Sequence, residues 1–144
     1  MKQPLYTVPK KRIALFSLLL FTLLISTFFS CSQKIYHEAN VQQLPPTEYL
    51  KELEAHPEAY LLDIRTGFEY RRNHLERAKN ISYLSGSFSK KITKLDTTKT
   101  VFIYCETAHR SPMAARKLWK KGFHQIIDLK GGHKQLRKMN RNLN

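Results

Sequence analysis

Several short apolar runs punctuate the chain after residue 40, and stretches with apolar residues at helical spacing separate them. The densest run is Val101-Phe102-Ile103-Tyr104, whose β-branched and aromatic residues predict a strand. Ala59 to Ile64 is near-continuously apolar and carries Asp63 close to its end, the pattern of a parallel strand buried on both faces. Ala78–Ile81 and Gln125–Leu129 predict two more strands, and Val41–Leu44 reads as a short edge strand closed by Pro45-Pro46. Between them, Tyr49, Leu50 and Leu53 predict a helix over Glu48–Ala55, with Thr47 as N-cap and Pro57 ending it. Thr66 caps a short helix running through Arg72. Phe88, Ile92 and Leu95 fall at helical spacing inside an otherwise ambiguous stretch from Ser82 to Lys94. Ser111 as N-cap and Pro112 in the first turn open a helix with Met113, Ala114, Leu118 and Trp119 inward, which Gly122 stops. After a Gly131-Gly132 turn, His133–Met139 predicts a last short helix anchored by Leu136. Strands alternating with helices predict a three-layer α/β domain with a mainly parallel sheet.

Residues 1–30 follow different rules. Lys2, Lys10, Lys11 and Arg12 are their only charges, and Ile13 to Ser30 is apolar or small throughout, the pattern of a secretory signal. Phe28-Phe29-Ser30 before Cys31 resembles a loose lipobox, with a small residue just before the cysteine and Phe in place of the usual Leu. Two readings stay open: a lipoprotein-type signal peptide cleaved so that Cys31 carries lipid, or an uncleaved signal anchor. Either implies an exported, membrane-anchored protein of the cell envelope, with a polar tether at 31–40 and one domain at 41–144. Removing 1–30 lowers the net charge from +14 to +10, because four basic residues and no acidic one leave. The remaining basic residues are scattered, without aromatic interleaving or a nucleic-acid motif, so no nucleic-acid partner is assigned. A tether near anionic lipid headgroups, or a plainly solvated surface, accounts for them.

Cys31 and Cys105 are the only cysteines. If Cys31 carries lipid, its sulfur cannot pair, and Cys105 is a lone thiol in an oxidising compartment. Cys105 stands where a strand ends and a helix begins, and ligands collect at the carboxyl ends of strands in such sheets. Loop amides with a helix N-terminus behind them form an anion-binding concavity that stabilises a thiolate. A buried, inert cysteine at a strand end is the competing reading. No second His or Cys stands at metal spacing from His74, so no metal is assigned.

The run YCETAHRSPMAARKLWKKGFHQIIDLKGGH resembles the active-site half of a rhodanese-like sulfurtransferase domain: strand, Cys, four residues, Arg-Ser, helix, Gly-Phe turn, strand, Gly-Gly. Upstream, YLLDIRTGFEYRRNHLERAKNI resembles that family's Asp-x-Arg strand, its Glu-Tyr helix and its Gly-His-Ile-x-x-Ala-x-Asn-Ile segment. Four residues separate Cys105 from Arg110, where the related phosphatase and arsenate reductase loops have five. The smaller cradle suits the outer sulfur of thiosulfate or a persulfide rather than a phosphate. The resemblance, from about Val41 to Lys138, implies a sheet of about five strands with Cys105 after the central one. It also implies a catalytic Cys105 persulfide, cradled by Glu106, Thr107, Ala108, His109 and Arg110. The partners implied are a small sulfur donor and a thiol or cyanide-like acceptor, with no cofactor; a non-catalytic binding or sensing module is the alternative. Asp63, Arg65 and Glu69 are expected as structural support, with Arg65 and Glu69 pairing across one helical turn. Glu76-Arg77 replaces the family's Pro-Gly, so a less tight loop is expected there. Few large apolar residues follow Gly132, which leaves the packing of the last helix open. Glu106 is expected to oppose the Cys105 thiolate and repel a dianionic donor, with Arg110 and protonated His109 acting the other way.

Overall fold

A computed structural model describes residues 41–142, and the expected signal segment over 1–30, Cys31 and the expected tether over 31–40 lie outside the described residues. Five strands, β1 (Val41–Leu44), β2 (Tyr60–Asp63), β3 (Lys79–Asn80), β4 (Val101–Tyr104) and β5 (Ile126–Leu129), form one parallel sheet in the order β1-β5-β4-β2-β3. The helices are α1 (Pro46–Ala55), α2 (Gly67–Arg72), α3 (Phe88–Ile92), α4 (Ser111–Trp119) and α5 (Gly132–Asn142). None of them is long and apolar enough to cross a membrane.

Alternation along β4 explains the layers. Val101, Ile103 and Cys105 face one apolar cluster with Leu62, Phe88, Ile92, Ala114, Leu118 and Phe123, built on α3 and α4. Phe102 and Tyr104 face the other, with Tyr49, Leu53, Leu129 and Leu136 from α1, β5 and α5. Both faces of the central strand are therefore covered, which is why its residues read as an unbroken apolar run. Leu136 anchors α5, and half-buried Met139 packs beside it, so the last helix is seated despite its few apolar residues.

Four local expectations change. The first helix starts at Pro46, with Pro45 as its N-cap, since a proline suits the first turn; the Thr47 hydroxyl instead points to the Met139 sulfur. The third strand is only Lys79–Asn80, and the ambiguous 82–94 stretch contains the one-turn helix α3. Arg110, not Ser111, is the N-cap of α4, and Ser111 is its first, fully buried residue. The loop at Glu76-Arg77 is tight after all: the Ala78 amide bonds the Leu75 carbonyl, and Arg77 takes a φ of 64° to allow it. Thr66 caps α2 as expected, its hydroxyl accepting from the Glu69 amide while the Glu69 carboxylate accepts from the Thr66 amide.

Candidate active site

Strand β4 lies between β5 and β2, so its carboxyl end delivers Cys105 to the middle of the sheet's upper edge. The thiol is fully buried, and the Ser111 hydroxyl donates to its sulfur at 3.2 Å. Between them Glu106 to Arg110 form a loop in which Ala108 takes a φ of 61°. A methyl-bearing residue in the left-handed region is strained, and the surrounding contacts must hold it there.

Those contacts come from α5. The His133 amide donates to the Cys105 carbonyl at 2.8 Å, and the Lys134 amide to the Glu106 carbonyl at 3.0 Å. A trans peptide points its N–H opposite its C=O, so these bonds turn the Glu106 and Thr107 amides away from α5 and into the loop. The amides of Glu106 to Arg110 bond no protein acceptor among the described residues, and successive unpaired amides in a loop are suited to holding an anion. Gly132 makes the close approach possible. It has a φ of 67°, and a Cβ there would lie 2.6 Å from the Cys105 carbonyl oxygen.

Charged groups ring the loop in pairs. Arg110 donates through both terminal nitrogens to Glu69, at 3.0 and 2.7 Å. This fork, with the Thr66 bonds added, holds the Glu69 carboxyl down at about 2, and Glu69 together with the Cys105 sulfur raises the pKa of Arg110. The expected Arg65–Glu69 pair is thus replaced by Arg110–Glu69. Arg65 is fully buried and turns to Asp63 instead, with Nη2 at 2.6 Å from Oδ2, and to the Asn73 carbonyl, which points β2's end toward α2. Burial works against the charge on Arg65, but Asp63 and Glu106 overcome it and raise its pKa.

The Glu106 carboxylate does not project freely into solvent. Arg65 Nη1 donates to its Oε2 at 3.2 Å, and Arg137 on α5 donates to both its oxygens. Burial would raise the Glu106 pKa, and these two guanidiniums overcome it and lower it. Its charge is compensated in place, which blunts the expected opposition to the thiolate. Thr107 and His109 are exposed and bond each other, Oγ1 to Nδ1 at 2.9 Å.

Ser111, Gly132, His133 and Arg137 were not identified as site residues by sequence. His133 and Arg137 stand one turn apart on α5, and Arg137 donates to His133 Nδ1 at 2.8 Å. Burial, then Arg65 and Arg137, push the His133 pKa down to about 4, so it is neutral and accepts that bond. The i, i+4 spacing after Gly131-Gly132 was the available signal, but a helix of this composition reads equally as a solvated surface. Among the described residues no cluster of metal-ligating side chains occurs.

The arrangement sets a buried sulfur, a hydroxyl donor and a run of unpaired amides at one strand end. Residues 45–139 match the model of the rhodanese-like domain. The chain is 35% identical over 77 residues to the uncharacterized protein YqhL of Bacillus subtilis, a match covering 54% of this chain and 60% of that one. It is 32% identical over 72 residues to the putative sulfur carrier protein YrkF of the same organism, covering 50% of this chain and 38% of the relative. The chain therefore spans less than two thirds of either relative. Among solved structures it resembles the polysulfide-sulfur transferase homodimer of Wolinella succinogenes, with a TM-score of 0.65 and 26% identity over 80% of this chain and 85% of that one.

Proposed function

The chain belongs to the rhodanese-like family, and from that premise we propose that it transfers sulfane sulfur through a persulfide on Cys105. The observation that carries this reading is the run of unpaired amides from Glu106 to Arg110 in the loop that joins Cys105 to Ser111, whose hydroxyl donates to the sulfur. In the first step the Cys105 thiolate attacks the outer sulfur of a donor. A new S–S bond forms as the donor's S–S bond breaks, and the electron pair leaves with the donor fragment: sulfite from thiosulfate, or a shortened chain from polysulfide. The name of the Wolinella succinogenes relative puts polysulfide beside thiosulfate as a donor. In the second step a thiol or cyanide-like acceptor attacks that outer sulfur, and Cys105 departs again as thiolate. Glu106, Thr107, Ala108, His109 and Arg110 offer amides to the anion in both steps, and Arg110 adds a positive charge. The Ser111 hydroxyl keeps its hydrogen bond to the sulfur as negative charge gathers there. Asp63, Arg65 and Glu69 hold the loop's flanks. The reaction uses no cofactor, because sulfur itself carries the chemistry.

Cell-envelope anchorage through Cys31, with the domain outside the cytoplasm, belongs to the same reading and rests on the charge-then-apolar leader. The test is mass spectrometry of the full-length protein after incubation with thiosulfate or polysulfide. One added sulfur on Cys105, absent from Cys105→Ala together with thiocyanate release from cyanide, is the expected result. Activity surviving in Cys105→Ala, or no sulfur on Cys105 with either donor, would leave a binding module on the same fold.

A further inference from the structure

Beside the Cys105 loop lies a cleft of about 450 Å³, lined by Arg65, Glu69, Arg72, Asn73, Glu106 and Arg137. It shares Glu106 with the loop's first position and Glu69 with the fork that fixes Arg110. We infer that this cleft takes the carboxylate of a small organic thiol on Arg72, and so selects the acceptor of the sulfur transfer proposed above.

The charges argue for one carboxylate. Arg65, Arg72, Arg110 and Arg137 stand against Asp63, Glu69 and Glu106, which leaves one positive charge over. Three of those arginines are already committed: Arg65 to Asp63 and Glu106, Arg110 to Glu69, and Arg137 to Glu106. Arg72 forms no ion pair among the described residues, and its guanidinium lies over the Phe68 ring at 5.7 Å from the centroid. A guanidinium stacked on a ring keeps its in-plane N–H donors available for a carboxylate's two oxygens. A monoanion neutralises the cleft, whereas a dianion overshoots and meets Glu69 and Glu106. An uncharged thiol of the same size hydrogen-bonds this polar lining without a charge-assisted contact to Arg72.

The experiment compares 3-mercaptopropionate with 2-mercaptoethanol, taken as acceptors from the persulfide form of the full-length protein. The parent should favour the acid about threefold in kcat/KM, the scale of one ion pair at an exposed guanidinium. In Arg72→Ala that preference should fall toward one, while Arg71→Ala, which alters an exposed neighbour outside the cleft lining, should keep it. Arg72→Lys should recover part of it. A binding arm stands apart from turnover: the Arg72 Nε–H resonance should shift on titration with 3-mercaptopropionate and stay put with 2-mercaptoethanol. Equal use of both thiols by the parent, an unchanged preference in Arg72→Ala, or an unmoved resonance would overturn the inference. If no persulfide forms, the sulfur-transfer reading falls, and the resonance alone still decides whether Arg72 holds a carboxylate.

Discussion

Replacing Glu69 with Gln removes one charge and leaves almost everything else in place. Gln is a natural third residue of a capping box and can still accept from the Thr66 amide, so the start of α2 survives. The fork to Arg110 does not. The Glu69 carboxyl titrates at about 2 in the folded protein against an ordinary 4.5. That difference corresponds to about 3 kcal/mol at neutral pH. The side chains of Glu69 and Arg110 are 27% and 19% exposed, so solvent screening brings the expectation nearer about 2 kcal/mol. The sign follows from the lowered value: the stabilisation is complete above about pH 4.5 and is lost as pH falls toward 2. At pH 3 less than half should remain, about 0.8 kcal/mol. Urea unfolding of parent and Glu69→Gln at pH 7 and pH 3, followed by circular dichroism, reads the gap directly. Other carboxylates titrate alike in both proteins and cancel. A gap of equal size at both pH values would refute the argument, since a loss of packing or capping alone does not depend on protonation of residue 69.

Arg77 sits at a φ of 64°, so Arg77→Gly should raise stability by about 1 kcal/mol, read as a higher urea midpoint at unchanged slope. Gly132→Ala should displace the Cys105 loop, because the new Cβ meets the Cys105 and Glu106 carbonyls at 2.6 to 2.7 Å; stability should drop by about 2 kcal/mol or more, and sulfur loading of Cys105 should slow with it. Glu106→Gln releases Arg65 and Arg137 from a shared counter-charge beside the loop, so thiosulfate turnover should rise, more at low salt than at high. Steady-state rates at two ionic strengths check this, and equal rates would remove it.

The parallel sheet was legible because burial on both faces writes itself as unbroken apolar runs, and Val101–Tyr104 and Ala59–Ile64 show that pattern. The position of Cys105 was equally plain, since a strand's end and a proline-marked helix start bracket it. The ion pairs were not. Arg65 and Glu69 are four residues apart and suggest each other, yet Asp63 binds the guanidinium of Arg65 at closer sequence distance, and Glu69 finds Arg110, 41 residues on. Sequence separation carries no information about which of several arginines reaches a given carboxylate once the chain folds back. Ser111 was read as a cap because serine usually is one; with Arg110 taking that place, its hydroxyl is free for the sulfur. Glu106 was judged against its neighbours in the loop, and the partners that decide its charge lie on other elements. The Arg77 turn shows the opposite: backbone closure between Leu75 and Ala78 imposed its geometry on a residue poorly suited to it.

The bonds from His133 and Lys134 to the loop carbonyls also set an order of assembly. Residues 105 and 106 emerge from the ribosome well before residues 132–134, and until those arrive the loop's carbonyls have no partner and its amides no fixed direction. Strand β1 waits too, because its neighbour in the sheet is β5. A nascent chain therefore carries Cys105 before the two bonds that fix its loop can form. The loop after Cys105 takes its final geometry only when the last helix docks on it.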